Sequence, residues 1–264
     1  MVTFYRGYRL SKVIASGQKP LKWYRGLTDK KRRLENRAFL VEGEKAISQV
    51  AASHPGEILE ILSVAEPPPL FRRYPLREVE AGRFRHISAA QTPQGIAAVV
   101  RLPENVYGSS LPENAGNRIL LLEDVQDPGN VGTLIRTAAA FDFSGAILTK
   151  NSADPFSPKV VQAAAGTVLS LWLRKTAQYL DIIKSLKQSG YTIIAADVRG
   201  NNVPSSLPGK EKLVLALGNE AAGLSKELLN LSDYRVRIPT PPEKAESLNV
   251  AVSGAILMYL STVK

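Results

Sequence analysis

From about Leu34 the chain falls into short apolar runs broken by turns, and the runs change in kind between its two halves. In the first half, "FLVEGEKAISQVAA" (39–52) predicts a strand, a glycine turn and a helix. "EILEILSV" (57–64) predicts a second strand and "PPPLFRRYP" (67–75) a loop, with further strands at "FRHIS" (84–88) and "GIAAVVRL" (95–102). Residues 1–30 read as irregular or weakly helical. The stretch "PENVYGSSLPENAGN" (103–117) has little periodicity and is rich in Pro, Gly, Asn and Ser, the signature of a linker.

Beyond it the alternation is regular. Strands are predicted at 118–125, 145–150, 171–175, 191–198, 212–218 and 234–239, and helices at 131–143, 158–169, 177–190, 225–231 and 247–263. Apolar strands alternating with helices predict a parallel sheet covered on both faces. The expected organisation is therefore a unit at 1–105, a linker at 106–117 and an α/β domain at 118–264.

Composition narrows the chemistry. No apolar run reaches the roughly 18 residues that cross a bilayer, and no leader signature opens the chain. A soluble cytoplasmic protein without a membrane segment is expected. With no cysteine and only His54 and His86, thiolate catalysis, zinc knuckles and most metal sites are excluded, so no metal is expected. His86 lies in a strand pattern and reads as structural. Charge then points to a partner. Of the net +10, residues 1–45 carry +8, with 12 Lys or Arg against 4 Asp or Glu. Tyr5, Tyr8, Trp23 and Tyr24 lie among these cations, a pattern suited to phosphates and unstacked bases. Lys30, Lys31, Arg32, Arg33 and Arg37 are the candidate RNA contacts; a solvated basic face is the alternative.

Parallel sheets bind ligands outside the carboxyl ends of their strands. Unusual loops follow three of the predicted strands: "DVQDPGNVGTLIR" (124–136), "LALGNEAAGLS" (215–225) and "RIPTPPEKAESLN" (237–249). Each runs to a helix N-terminus, where backbone N–H groups are free for a ligand. No G-x-G-x-x-G or phosphate-loop lysine signature is present, which argues against an ordinary nucleotide site. Arg136 is a lone cation in a helix otherwise built of Leu134, Ile135, Ala138 to Ala140 and Phe141. Asn130 could cap that helix, Ser247 and Asn249 could cap the last one, and Glu220 could brace its loop.

Taken in order, Asn130-x-Gly132-x-x-x-Arg136, Leu217-Gly-Asn-Glu220-Ala-Ala-Gly223-Leu and Ile238-Pro…Ser247-Leu-Asn249-Val resemble the three motifs of the SpoU/TrmH family. These are 2'-O-ribose RNA methyltransferases of the SPOUT superfamily. Upstream, "RLENRAFLVEGEKAI" and "TPQGIAAVV" resemble the ribosomal-protein-like RNA-binding module of the family's rRNA-directed branch. The resemblance implies an α/β fold: a C-terminal knotted parallel-sheet methyltransferase domain with a smaller N-terminal α/β RNA-binding domain. It also implies a homodimer that shares its active site and a bent S-adenosyl-L-methionine held largely by backbone.

By the same resemblance, Leu217, Gly218, Asn219, Ile238, Pro239, Leu248 and Asn249 would contact the cofactor. Arg136, Asn130, Asn249, Ser247 and Glu220 form the catalytic set. Two departures stand out: Thr240-Pro241-Pro242-Glu243 replaces a usual glycine, and Gly17-Gln18-Lys19-Pro20 stands where relatives often have Asn-Pro.

The chemistry agrees with the residues present. A ribose hydroxyl must be oriented and lose its proton, which needs neither metal nor thiol. Arg136 has the planar fork that clamps a phosphate. The expected activity is S-adenosylmethionine-dependent methylation of a ribose 2'-hydroxyl of RNA, with 23S-type rRNA favoured over tRNA. A non-catalytic RNA-binding assembly factor retaining the fold is the alternative.

Overall fold

The computed structural model describes residues 19–204, 211–241, 243 and 247–262; Tyr5, Tyr8 and most of the expected irregular N-terminal arm lie outside them. The first unit contains α1 (Leu21–Gly26), α2 (Lys30–Asn36), β1 (Ala38–Glu42), α3 (Glu44–Ser53), β2 (Ile58–Ser63), β3 (Leu76–Glu78), α4 (Ala81–Phe84) and β4 (Ile96–Arg101). Its sheet has the order β1-β4-β2-β3, antiparallel except for the parallel β2–β3 edge.

The second unit contains β5 (Arg118–Leu122), α5 (Pro128–Ala140), β6 (Gly145–Thr149), α6 (Pro158–Ala163), β7 (Trp172–Thr176), α7 (Tyr179–Gln188) and β8 (Thr192–Ala196). It continues with β9 (Leu213–Leu217), α8 (Lys226–Leu231), β10 (Tyr234–Val236) and α9 (Val250–Thr262). Every strand pairing in its sheet, β10-β8-β9-β5-β6-β7, is parallel.

Period-two alternation sorts the strand residues into layers. Ile119 and Leu121 face α7 and α8, where they pack with Ile183, Leu186 and Leu228. Leu120 and Leu122 face the opposite way, onto Val131, Leu134, Val160 and Met258 of α5, α6 and α9. That second core does not stop at the catalytic unit. It continues through Phe156 into Phe39, Val41, Ala98 and Val100 of the N-terminal sheet. The Phe39 and Phe156 rings meet edge to face at 4.8 Å. The outer face of the N-terminal sheet packs Leu40, Ala97 and Val99 against Tyr24, Phe84 and Ile87.

Two expected elements differ. "FRHIS" is not a strand: Phe84 closes α4, and Phe84 and Ile87 are both buried at 1% exposure, a spacing of three that belongs to a helical turn. His86 is exposed on that turn. The helix expected at 158–169 ends near Ala164, where Ala165 and Gly166 take positive φ, and a separate turn follows at Thr167–Leu169. The 103–117 segment is irregular as expected, yet it is strapped along β7. Val106 O accepts from the Lys175 N–H at 2.6 Å, and Ala115 O accepts from Trp172 Nε1 at 3.0 Å.

Gly132 lies where α5 and α6 touch. A Cβ there would fall 2.5 Å from both the Ala163 Cβ and the Val160 carbonyl oxygen. Helices approach this closely only where a side chain is missing. Backbone oxygen cannot move aside cheaply, so Gly132→Ala should destabilise the protein by about 1–3 kcal/mol. Urea denaturation checks this; an unchanged midpoint would mean that the helices separate freely.

Candidate active site

Strands β5 and β9 are neighbours at the middle of the catalytic sheet, with Leu122 paired to Leu217. The loops leaving their carboxyl ends therefore begin side by side. Asp127, not Asn130, caps α5: its Oδ1 accepts the Asn130 N–H at 2.7 Å. This frees the Asn130 side chain, whose Nδ2 donates to Glu220 Oε1 at 2.9 Å. Its Oδ1 accepts from Asn249 Nδ2 at 3.1 Å. Asn249 Oδ1 in turn accepts the Ala251 and Val252 N–H groups at 2.8 and 3.3 Å, so Asn249 does cap α9.

Those backbone donors can face only an oxygen, which decides how the Asn249 amide points. Asn249 must then offer its NH2 to Asn130, and Asn130 its own NH2 to Glu220. The hydrogen-bond chain has one direction and ends on a carboxylate. Residues 119 and 90 positions from Asn130 are gathered in this way. Ser247 is exposed and stands outside the chain.

The second loop is closed on itself. The Asn219 N–H donates to Gly223 O at 3.1 Å, and the Gly223 N–H to Asn219 O at 2.9 Å. Asn219 Oδ1 accepts from the Ala221 and Ala222 N–H groups, each at 3.0 Å. At Gly218 a Cβ would meet Gly223 backbone carbon at 2.4 Å, so the tight closure requires glycine. Leu217 is buried. Ile238 and Leu248 are half-buried, and Pro239 is exposed on the third loop. The rim carries small side chains, backbone, apolar groups and the Glu220 carboxylate. Such a donor set fits a cofactor gripped by backbone and apolar contact. Among the described residues no cluster of His, Asp or Glu could hold a metal ion.

The SpoU rRNA Methylase family matches residues 117–259, and an MRM3-like substrate binding domain matches residues 19–98. The chain belongs to the SpoU rRNA methylase family. It is 34% identical over 250 residues to the 23S rRNA (guanosine(2553)-2'-O)-methyltransferase RlmP of Bacillus subtilis (strain 168), covering 93% of this chain and 96% of that one. It superposes on a TrmH-family protein from Porphyromonas gingivalis with TM-score 0.76 and 32% identity, covering 91% and 96% of the two chains. An AdoMet-bound rRNA methyltransferase from Sinorhizobium meliloti gives TM-score 0.76 at 29% identity, with 91% and 93% covered.

Within this SpoU-family chain the expected residues are not all together. Arg136 is exposed two turns along α5 from Asn130, and makes no hydrogen bond or ion pair with another described residue. Of the candidate RNA contacts, Lys30, Lys31, Arg32 and Arg37 are exposed. Arg37 pairs with Glu104 at 2.7 Å and Arg32 with Glu35 at 3.1 Å. Arg33 departs from expectation: it is 2% exposed and bonded inside the protein, so it presents no surface to a phosphate. Tyr24 is also buried, with its hydroxyl donating to Glu60 at 2.7 Å, and cannot stack on a base.

The sequence reading missed Glu123 and Asp124. Glu123 is 5% exposed; its Oε2 accepts the Ser225 N–H at 2.7 Å, and its Oε1 accepts the Ser225 hydroxyl at 2.6 Å and the Tyr179 hydroxyl. Burial, reinforced by this carboxylate, pushes the Tyr179 phenol up to about 12, so it remains a donor at neutral pH. Asp124 O accepts from Asn219 Nδ2 at 2.9 Å. The two acidic residues thus hold both ends of the second loop. An acidic pair after an apolar strand, in "LLLEDV", was the available signal. Glu123→Ala would strand three donors and should cost about 1–3 kcal/mol, against about 1 kcal/mol for Tyr179→Phe. Urea denaturation of both variants checks the order, and equal losses would contradict the brace.

Proposed function

We infer that this chain transfers a methyl group from S-adenosylmethionine to a ribose 2'-hydroxyl of large-subunit rRNA, as a cytoplasmic homodimer. The observation that carries the reading is the directed Asn249–Asn130–Glu220 chain, which joins all three carboxyl-edge loops. The similarity to RlmP over 93% of this chain supports rRNA over tRNA.

The cofactor would supply an electrophilic methyl on a sulfonium, and Leu217, Gly218, Asn219, Ile238, Pro239 and Leu248 would hold it. The chain's own residues do the rest. A ribose hydroxyl is a weak nucleophile, so its approach has to be restricted before it can attack in line. Asn130 and Asn249 keep the loops in register and hold the Glu220 carboxylate in place at the rim. The ribose oxygen would bond to the methyl carbon as the methyl–sulfur bond breaks, with the thioether S-adenosylhomocysteine as leaving group and the hydroxyl proton passing to water at the rim. Arg136 clamps the adjacent phosphate with its planar fork. A guanidinium keeps its proton in ordinary surroundings, so the clamp is the role assigned to it rather than that of base.

Arg136 stands apart from the Asn130 chain within one copy, and the surface of α9 supports a shared site. Val252 and Tyr259 are 49% and 54% exposed on α9, next to α5, where the Tyr259 ring lies 5.9 Å from that of Phe141. Apolar residues surround this helix rather than forming one stripe, as expected where a second copy covers it. We also propose that the segment ending in α9 is threaded as the knotted family fold implies; Gly254 sits against Leu134 and Leu217 in support.

Two experiments test the reading. Arg136→Ala should retain its fold and its affinity for S-adenosylhomocysteine, while single-turnover methyl transfer falls by about 10²-fold or more. Near-normal turnover would remove Arg136 from the mechanism. Light scattering should report a dimer, and the pair Val252→Asp and Tyr259→Asp should convert it to a monomer. A wild-type monomer at tens of micromolar, about the concentration at which a stable interface is filled, would refute the dimer.

A further inference from the structure

Arg33 was expected to meet RNA, and it is instead the most deeply buried cation among the described residues of the N-terminal unit. Its Nη1 donates to Leu27 O and Thr28 O at 3.2 and 2.8 Å. Its Nη2 lies 3.2 Å from Asp154 Oδ1, and Asp154 belongs to the catalytic unit, in the loop that follows β6. That carboxylate is a hub. Its Oδ1 also accepts the Phe156 N–H at 2.9 Å, and its Oδ2 accepts the Tyr107 hydroxyl at 2.9 Å. Lys30 stands 3.9 Å from Oδ2 with its ammonium 4.0 Å above the Tyr107 ring. Helix α2, the 103–117 strap and the catalytic sheet therefore converge on one side chain.

We propose that the Arg33–Asp154 pair is the latch that fixes the RNA-recognition unit in a single orientation over the methyltransferase sheet, which makes Arg33 a positioning residue for methyl transfer and not an RNA contact. The proposal rests on the reading of the N-terminal unit as the recognition module. Apolar burial alone would not give this result. The shared core around Phe39 and Phe156 attracts without direction, and two apolar faces can slide. A guanidinium held by two carbonyls and a carboxylate allows one geometry. Such a pair is an expensive way to add stability, because Arg33 Nε finds no acceptor among the described residues and the charges are out of water. A buried pair of this kind is best explained by registry. The consequence is a ruler: cations such as Lys31 and Arg32 sit at a set distance from Asn130 and Glu220. Only an RNA whose target ribose lies at that distance from its anchoring phosphates can be methylated.

The chain has no cysteine, so spin labels can be placed cleanly. Nitroxides on Arg85→Cys and Lys184→Cys, both exposed and one in each unit, report the inter-unit distance in the full-length protein. With the doubly labelled chain diluted in excess unlabelled protein, so that a dimer carries one labelled subunit, an intact Arg33 should give one narrow distance, and Arg33→Met should broaden it. With unmodified large-subunit rRNA as substrate, Arg33→Met should lose turnover by about 10²-fold, as a misplaced substrate does. Its affinities for rRNA and for S-adenosylhomocysteine should stay unchanged. Should Arg33→Met fail to fold, Asp154→Asn and Tyr107→Phe loosen the same hub with the side-chain shapes retained, and should move both readouts in the same direction. An unchanged distance distribution, or unchanged turnover well below the melting temperature, overturns the latch. A loss of rRNA affinity that matches the loss of turnover also overturns it, since Arg33 would then be a contact. Lys31→Glu with Arg32→Glu tests the underlying reading separately. These changes should weaken rRNA binding and flatten its salt dependence while leaving the label distance narrow. Unchanged binding would overturn the recognition reading even where the latch distance behaves as expected.

Discussion

Side chains alternate along a strand, so Glu123, one residue past β5, keeps the side taken by Ile119 and Leu121, while Asp124 leaves the strand with left-handed backbone, and the two carboxylates hold different neighbours. Glu123 turns toward α7 and α8, where it takes the donors of Ser225 and Tyr179. Asp124, with its backbone at φ 56°, turns the other way and accepts from Thr149 at the end of β6 and from Asn151 just past it. Its carbonyl still reaches Asn219. The second loop is held directly at these two positions, and the third is linked to it through Asn130 and Glu220. Without them the glycine-rich second loop would have to stay ordered through its own closure, with little apolar burial to offset the entropy.

The Asn249–Asn130–Glu220 chain depends on that anchoring. Its direction begins with two backbone N–H groups at the start of α9 and passes through side chains alone. Amide groups serve well here because each has a donor end and an acceptor end, so orientation is transmitted from one to the next. The Gly132 approach between α5 and α6 sets the height of α5 over the sheet, and with it the position of Asn130 at the helix start.

The same economy holds at the junction of the two units. One apolar core runs through both, and a single carboxylate, Asp154, collects a cation, a phenol and a backbone donor from three segments. A linker composition at 103–117 suggested independent units joined by a tether. The segment is irregular, but its carbonyls are taken by Lys175, Arg174 and Trp172 of β7, which makes it a strap.

How much was legible follows from distance along the chain. The parallel sheet, its helices and the order of its loops were readable because alternation and helical periodicity are properties of adjacent residues. Asn130, Glu220 and Asn249 were readable as candidates through their motifs. Their wiring was not, since Asp127 could take the cap only once the turn at Pro128 was formed. The "FRHIS" segment has the aromatic and β-branched residues of a strand, yet Phe84 and Ile87, three apart, both enter the core, which only a helical turn allows. Arg33 was misread for a plainer reason. Four cations in a row look alike in sequence, and helical rotation alone sends one of them inward. What that one meets is Asp154, 121 positions away. The sequence by itself determined most of the elements, the site's residue types and the family; only the tertiary structure decided which charge faces solvent and which is buried, because burial depends on partners that folding brings from far along the chain.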